Sequence, residues 1–478
     1  MEMRMEYLIM WFCLLNVFLM VWNHNMTEGS PAILGHPFIS VWNAPTQICQ
    51  EKYKISLDLR IFDLIVNPND SFIGKDITLF YSNKFGYYPY YTKDGVAIYG
   101  GLPQNASLKA HLQKIEQDIN NTILHVGFRG LAVVDWERWR PLWIRNWGSM
   151  KIYQYKSIKL VKERHPDWPA DKVIKAAQLE FQQSAWAFME QTLARSETLR
   201  PKGFWGFYSF PNCYNNQFQY ANYTGECPEI EKQRNNELYW LWNQSRALYP
   251  SIYLPQILTL THKTLEFARH RIEEAFRVLK WTQNDIPVLP YTTVVYEFTH
   301  NFLTQEDLVH TIGESASQGA AGVILWGSTN FSKSREACLE VKEYVDTLLG
   351  PYIMNVTSSI KLCSKILCSK NGRCVRQENH PEAFLHLNSA SFTIKKHNVD
   401  PGFILIGQMS VKDQMKMAQE FTCRCYDGWK GLHCEKKSIH NEAFRDKMRA
   451  GEKSTDNTVA LCNNHVPFSD PDRLSYML

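Results

Sequence analysis

Seven short apolar runs alternate with helix-periodic segments along the 478-residue chain as far as Tyr352. The runs are Pro37–Asn43, Asp76–Ser82, Gly130–Glu137, Gly203–Phe210, Tyr249–Pro255, Ile286–Glu297 and Ala320–Gly327. Helical spacing of apolar residues marks Leu108–Ile123, Asp171–Arg195, Asn235–Leu248, Thr264–Leu279, Gln305–Gln318 and Arg335–Leu349. Strands that alternate with helices pair in parallel, and strands apolar at nearly every position are covered on both faces. The pattern predicts an α/β fold. A closed (β/α) barrel is the simplest solution for about 320 residues in one domain. An open doubly wound sheet is the alternative, but no G-x-G-x-x-G follows the first strand.

Past Tyr352 the texture changes. Cys363, Cys368 and Cys374 are followed by a 48-residue gap and then by Cys423, Cys425 and Cys434, among turn residues rather than apolar runs. Units of this kind depend on disulfides because they bury too little apolar area to hold themselves together. The spacing resembles an epidermal-growth-factor-like (EGF-like) module with an insertion, taken here as residues 358–436. Residues 437–478 are polar and charged and read as a tail without a core. No C-x-x-C and no zinc-type His/Cys spacing is present, so neither a metal nor a cofactor is expected.

The N-terminal run Tyr7–Trp22 is long enough for a signal h-region, although MEMRME before it lacks the usual positive charge. Residues 1–24 are read as a signal peptide, ahead of a retained anchor. Eight N-x-S/T tripeptides, at Asn25, Asn69, Asn105, Asn120, Asn222, Asn243, Asn330 and Asn355, fit a glycosylated secretory protein. No second spanning stretch follows, and DPDRLSYML lacks the apolar tail of a lipid-anchor signal. The expectation is a secreted or lysosomal monomer without a stable membrane anchor. Lys plus Arg number 52 against 48 Asp plus Glu, a net +4 that argues against a nucleic-acid partner. Aromatics reach 13%, which suits stacking on sugars as well as core packing.

The segment Gly130–Trp147, GLAVVDWERWRPLWIRNW, carries the chemistry. An apolar strand ends in Asp135 and Glu137, and side chains two apart share a face, about 6.6 Å apart along the strand. Barrel enzymes keep their active sites at that C-terminal end. Two neighbouring carboxyl groups resist ionising together, so one keeps its proton to higher pH, as glycosidic cleavage requires. The plain alternative is an ordinary ion pair of one acid with Arg138 or Arg140.

This segment resembles the hyaluronidase family of animals and insect venoms, whose signature reads closely as G-x-A-V-I-D-W-E-x-W-R-P-x-W-x-x-N-W. The likeness runs on through VWNAPTQIC, YYPYYTKDGVAIYGGLPQNASL, GFWGFYSFPNCYN, NNELYWLWNQSRALYPSIYLP and GESASQGAAGVILWG. ERHPDWPA, FDLIVNP and ALYPSIY look most like the hyaluronidase-1 type. The resemblance implies a distorted (β/α) barrel followed by the EGF-like module. It also implies an endo-β-N-acetylhexosaminidase that cleaves hyaluronan with retention, the substrate's own acetamido oxygen acting as nucleophile. Glu137 would be proton donor and then base, and Asp135 would orient the acetamido group. Tyr208, Tyr253 and Trp326 would line its pocket, and Asn43, Arg140, Ser251 and Arg271 would lie along the cleft. Without the resemblance, Tyr208 and Trp326 read as core, Asn43 as a turn residue, and Arg271 equally as an ion-pair partner of Glu273 or Glu274. The implied disulfides are Cys49–Cys338, Cys213–Cys227, Cys363–Cys374, Cys368–Cys423 and Cys425–Cys434. One departure stands out: Asn212 occupies the place of an aspartate in the family's F/Y-P-D-C. Two further readings remain open, a hydrolase preferring chondroitin sulfate and a catalytically silent glycan-binding or adhesion protein.

Overall fold

The structure is a computed structural model that describes residues 33, 35–66, 76–280, 286–397 and 402–438. The chain divides into two units, residues 1–435 and 436–478. Of the second only residues 436–438 are described, and the expected signal peptide likewise lies outside the described residues.

Among the described residues, seven parallel strands form the centre of the first unit. They are β1 (Ile39–Asn43), β2 (Leu64–Val66), β3 (Ile77–Tyr81), β4 (Leu131–Asp135), β5 (Phe204–Phe207), β6 (Tyr291–Thr293) and β7 (Gly322–Trp326). Pairing runs β2–β1–β7–β6 in one sheet and β3–β4–β5 in another. Isolated parallel bridges join the two: Tyr208 pairs with Tyr249, Leu248 with Val288, and Ser251 with Tyr291. Eight strand positions therefore follow one another in a single parallel series. The expected strand at Tyr249–Pro255 survives only as these bridges. Pro250 and Pro255 have no N–H to give a ladder, and Pro287 and Pro290 trim β6 for the same reason. Strand β2 has three residues and gives too short a run to stand out in the sequence.

Alternation along the strands sorts the residues into two sets. Val41, Leu64, Val66, Ile77, Leu79, Leu131, Val133, Tyr249, Tyr291 and Ile324 pack into one shared apolar cluster. The intervening residues face the helices: Phe80, Ala132, Val134, Trp205 and Phe207 on one side, Trp42, Val323 and Leu325 on another. Helices cover the strands as the periodicity predicts. Leu108–Thr122 is capped by Ser107, whose side chain accepts from the Ala110 N–H, and buries His111, Ile115 and Ile119 along one stripe. Ala170–Leu199 and Lys263–Leu279 match their expected segments. The segment expected as one helix from Asn235 instead holds two short ones, Glu229–Glu237 and Tyr239–Gln244.

The helix that starts at Arg335 does not stop at Leu349. It passes through a π-helical turn, Val345–Leu349, and continues as Gly350–Ile366, so that Cys363 sits in its last turns. Strands β8 (Gly372–Arg376) and β11 (Phe421–Cys425) then pair antiparallel with Cys374 opposite Cys423. Between them lie the hairpin β9 (Phe392–Lys396) and β10 (Phe403–Gly407) and the helix Val411–Glu420. Among the described residues there are five disulfides: Cys49–Cys338, Cys213–Cys227, Cys363–Cys374, Cys368–Cys423 and Cys425–Cys434. Buried Glu314 ties this region to the strands' helical cover by pairing with both Arg269 and Arg376. Among the described residues no helix is long and apolar enough to cross a membrane, and no cluster of His, Cys, Asp and Glu suits a metal.

Candidate active site

In β1, β3, β4 and β7 the inward-facing set ends in a polar or aromatic residue at the C-terminal end. Following Ile39 and Val41 inward gives Asn43, and Ile77 and Leu79 give Tyr81. Leu131 and Val133 give Asp135, and Gly322 and Ile324 give Trp326. Tyr208 and Tyr253 pack against the same cluster from the neighbouring positions. Register keeps these residues level: Tyr81 is opposite Asp135, and Asn43 is opposite Trp326. Period-2 alternation in a parallel series thus gathers one residue from each of these four strands into one mouth.

The two acids lie in different surroundings. Asp135 is the last residue of β4, and its Oδ1 is covered without a hydrogen-bond partner among the described residues. Burial, reinforced by the Glu137 charge and opposed by Arg140 and Arg138, pushes the Asp135 carboxyl up to about 7. Glu137 lies beyond the strand, contrary to the sequence expectation, and is exposed. Its charge still reaches both Asp135 and the Tyr208 hydroxyl, which places the three groups together.

Trp136 fixes the acids from the other face. It is buried and stacks on Tyr88 at 4.5 Å. Trp139 Nε1 donates to the Pro89 carbonyl at 2.8 Å. Arg140 does not reach either carboxylate: its Nη1 donates to the Glu137 backbone carbonyl at 3.1 Å. Asn146 accepts from the Arg140 N–H at 2.9 Å and donates back to the Arg140 carbonyl at 2.8 Å. Among the described residues no ion pair joins Asp135 or Glu137 to Arg138 or Arg140, so the acids are not consumed as structural charges.

Around them stands an aromatic wall. The Tyr208 hydroxyl is within hydrogen-bonding reach of Ser251 and Tyr253 and is raised well above the usual phenol range by burial. The Tyr253 and Trp326 rings lie 6.3 Å apart and 21° from parallel. Tyr291 packs edge-on against Tyr208 at 5.1 Å. Asn43 is fully buried, and its side-chain amide has no partner among the described residues. Arg271 forms no pair with Glu273 or Glu274, which bind His270 and Arg277. Its guanidinium donates to Asn215, Asn216 and the Ser251 carbonyl at 2.8, 2.8 and 3.0 Å, and burial pulls it down to about 10. Tyr81, Tyr291, Asn215 and Asn216 escaped the sequence reading, although inward parity at a strand end would have flagged Tyr81.

Two carboxyl groups of unequal solvation inside an aromatic, strand-end mouth suit glycoside cleavage. A family model described as hyaluronidase, glycoside hydrolase family 56, matches residues 27–438. The chain belongs to the hyaluronidase family. Hyaluronidase-1 of Homo sapiens is 50% identical over 418 residues, covering 87% of this chain and 96% of that one. Hyaluronidase-1 of Sus scrofa is 49% identical over 414 residues, covering 86% and 95%. Among solved structures, bee venom hyaluronidase in complex with a hyaluronic acid tetramer has a TM-score of 0.58 at 31% identity. It covers 66% of this chain and 98% of that one. Hyaluronidases are glycoside hydrolases, and all the site residues named above fall inside the matched stretch.

Proposed function

We propose that this hyaluronidase is an endo-β-N-acetylhexosaminidase that hydrolyses the β-1,4 linkages of hyaluronan with retention. The observation that carries this is the pair of Asp135, whose carboxyl burial raises, and exposed Glu137 just beyond the end of the same strand. The substrate's acetamido oxygen attacks the anomeric carbon, which makes this an exception to the two-carboxylate scheme. Glu137 protonates the departing sugar oxygen and then takes the proton from the attacking water. Asp135 accepts the acetamido N–H and steadies the positive charge of the intermediate. An N–H donated to Asp135 favours that carboxylate's charged form, in which it opposes the positive charge of the intermediate. Tyr208, Tyr253 and Trp326 enclose the acetamido group, and Asn43, Ser251, Arg140 and Arg271 border the polymer or hold the loops that do.

The parallel series closes, on this reading, into a distorted (β/α) barrel over residues 30–352, since inward residues of β2 and β3 share one cluster. Residues 358–436 form the EGF-like module, and five disulfides fit an oxidising secretory route to secretion or the lysosome. Asn105, Asn120, Asn222, Asn243 and Asn330 are exposed, as a glycan acceptor must be. The test is product analysis after incubating the purified protein with hyaluronan and with chondroitin sulfate across acid to neutral pH. Even-numbered oligosaccharides with N-acetylglucosamine at the reducing end are expected from hyaluronan. Cleavage of chondroitin sulfate alone, or binding without cleavage, would overturn the assignment.

A further inference from the structure

Arg138 directly follows Glu137, and both side chains are exposed. Its guanidinium carbon lies 5.3 Å from the centre of the Tyr90 ring, within the range at which an aromatic face holds a cation. Tyr90 belongs to a small hairpin, Tyr90–Tyr91 against Ala97–Ile98. Its ring stacks near Tyr88 at 6.2 Å, and Tyr88 stacks on Trp136 at 4.5 Å. A staircase of rings therefore runs from Trp136, between the two acids, out to Tyr90, with Arg138 resting on its last step. Among the described residues no carboxylate neutralises Arg138. Its charge reaches the Asp135 carboxyl, which confirms its place beside the mouth.

A guanidinium already seated on a ring loses less side-chain freedom when it binds, and its planar fork matches a carboxylate bidentately. We propose that Arg138, held on Tyr90, binds a uronate carboxylate of the polymer beside the cleaved linkage. It is then a specificity residue that favours anionic over neutral N-acetylhexosamine chains. The inference rests on the hyaluronan reading above and adds to it the residue that reads the charge. Lys156 offers an internal comparison. It lies 5.4 Å from the Tyr91 ring, and adjacent strand residues project to opposite faces of the hairpin.

The test is steady-state hydrolysis of hyaluronan oligosaccharides of one length by the wild type, Arg138→Gln, Arg138→Lys and Lys156→Gln. An oligosaccharide whose carboxylates have been reduced to alcohols serves as competitor. Arg138→Gln should raise KM roughly three- to tenfold with kcat within about twofold, because a rim charge contact acts on binding. Arg138→Lys should lie between, and Lys156→Gln should match the wild type. The reduced competitor should inhibit the wild type and Arg138→Gln equally. An unchanged KM in Arg138→Gln, or an equal penalty in Lys156→Gln, would overturn the proposal. So would a fall in kcat alone, which would mean that Arg138 acts only through its field at Asp135. Absence of turnover by the wild type would instead overturn the hydrolytic reading itself.

Discussion

Asp135 and Glu137 stand two positions apart on one segment, yet the first has a covered, unpartnered carboxyl oxygen and the second is exposed. Trp136 between them is anchored in the aromatic core, so neither acid can trade places with the other. Unequal solvation is how a pair of chemically similar acids acquires separate roles.

Replacing Glu137 by Gln removes the transferable proton and almost no volume. Hydrolysis should fall by on the order of 10² to 10⁴, as loss of a general acid does. Because Glu137 is exposed, thermal unfolding and hyaluronan binding should stay near wild type. Turnover above about a tenth of wild type would remove Glu137 from the mechanism.

The Asp135 carboxyl has a folded-state value of about 7 against an ordinary 3.8. Between those pH values the folded protein binds more protons than the unfolded chain, so this group's contribution makes stability fall as pH rises. Asn at position 135 cannot ionise and escapes that loss. The difference in Tm, Asp135→Asn minus wild type, should therefore grow from about pH 4 to about pH 7. A difference that stays flat or shrinks across that window, measured by calorimetry, would show that Asp135 is not the proton-holding group.

Asn212 has its side chain 3.3 Å from Ser209 Oγ, and its carbonyl accepts from Asn235 Nδ2 at 2.8 Å. Ser209 adjoins Tyr208, whose hydroxyl feels the charge of Glu137. Asn212→Asp should move the acid limb of kcat/KM toward higher pH, because a further carboxylate disfavours ionisation of the acid pair. An unchanged profile would put position 212 too far from the acids to matter, and a shift to lower pH would reverse the sign of the coupling.

The Cys49–Cys338 bond closes a loop with a sequence separation of 289 and ties the short helix Gln47–Glu51 after β1 to the helix after β7. Replacing both cysteines by Ala should cost about 2–5 kcal/mol of stability, chiefly through a freer unfolded chain. Denaturant unfolding measures this, and the folded fraction should keep wild-type kcat because the bond lies outside the mouth. A loss under about 0.5 kcal/mol would mean that the linkage adds little constraint.

The strand–helix alternation, the D-x-E pair and the cysteine spacing are local patterns, and the chain alone was enough to expose them. Near-continuous apolar runs marked β1, β3, β4, β5 and β7 because burial on both faces leaves no polar position to confuse the period. Leu64–Val66 was too short to give a period, and the prolines at 250, 287 and 290 cut ladders that hydrophobicity alone would have extended. The helix from Arg335 ran past its expected end because packing carried it through the Gly350–Pro351 pair. Arg271 shows the same limit at the site. Its sequence neighbours Glu273 and Glu274 were natural partners, but Asn215, Asn216 and Ser251 hold it, brought there from other elements. What separates Asp135 from Glu137 was likewise invisible in one dimension. A carboxyl's readiness to ionise depends on which distant groups take its water away, and for Asp135 that is settled by burial at the mouth of the strands.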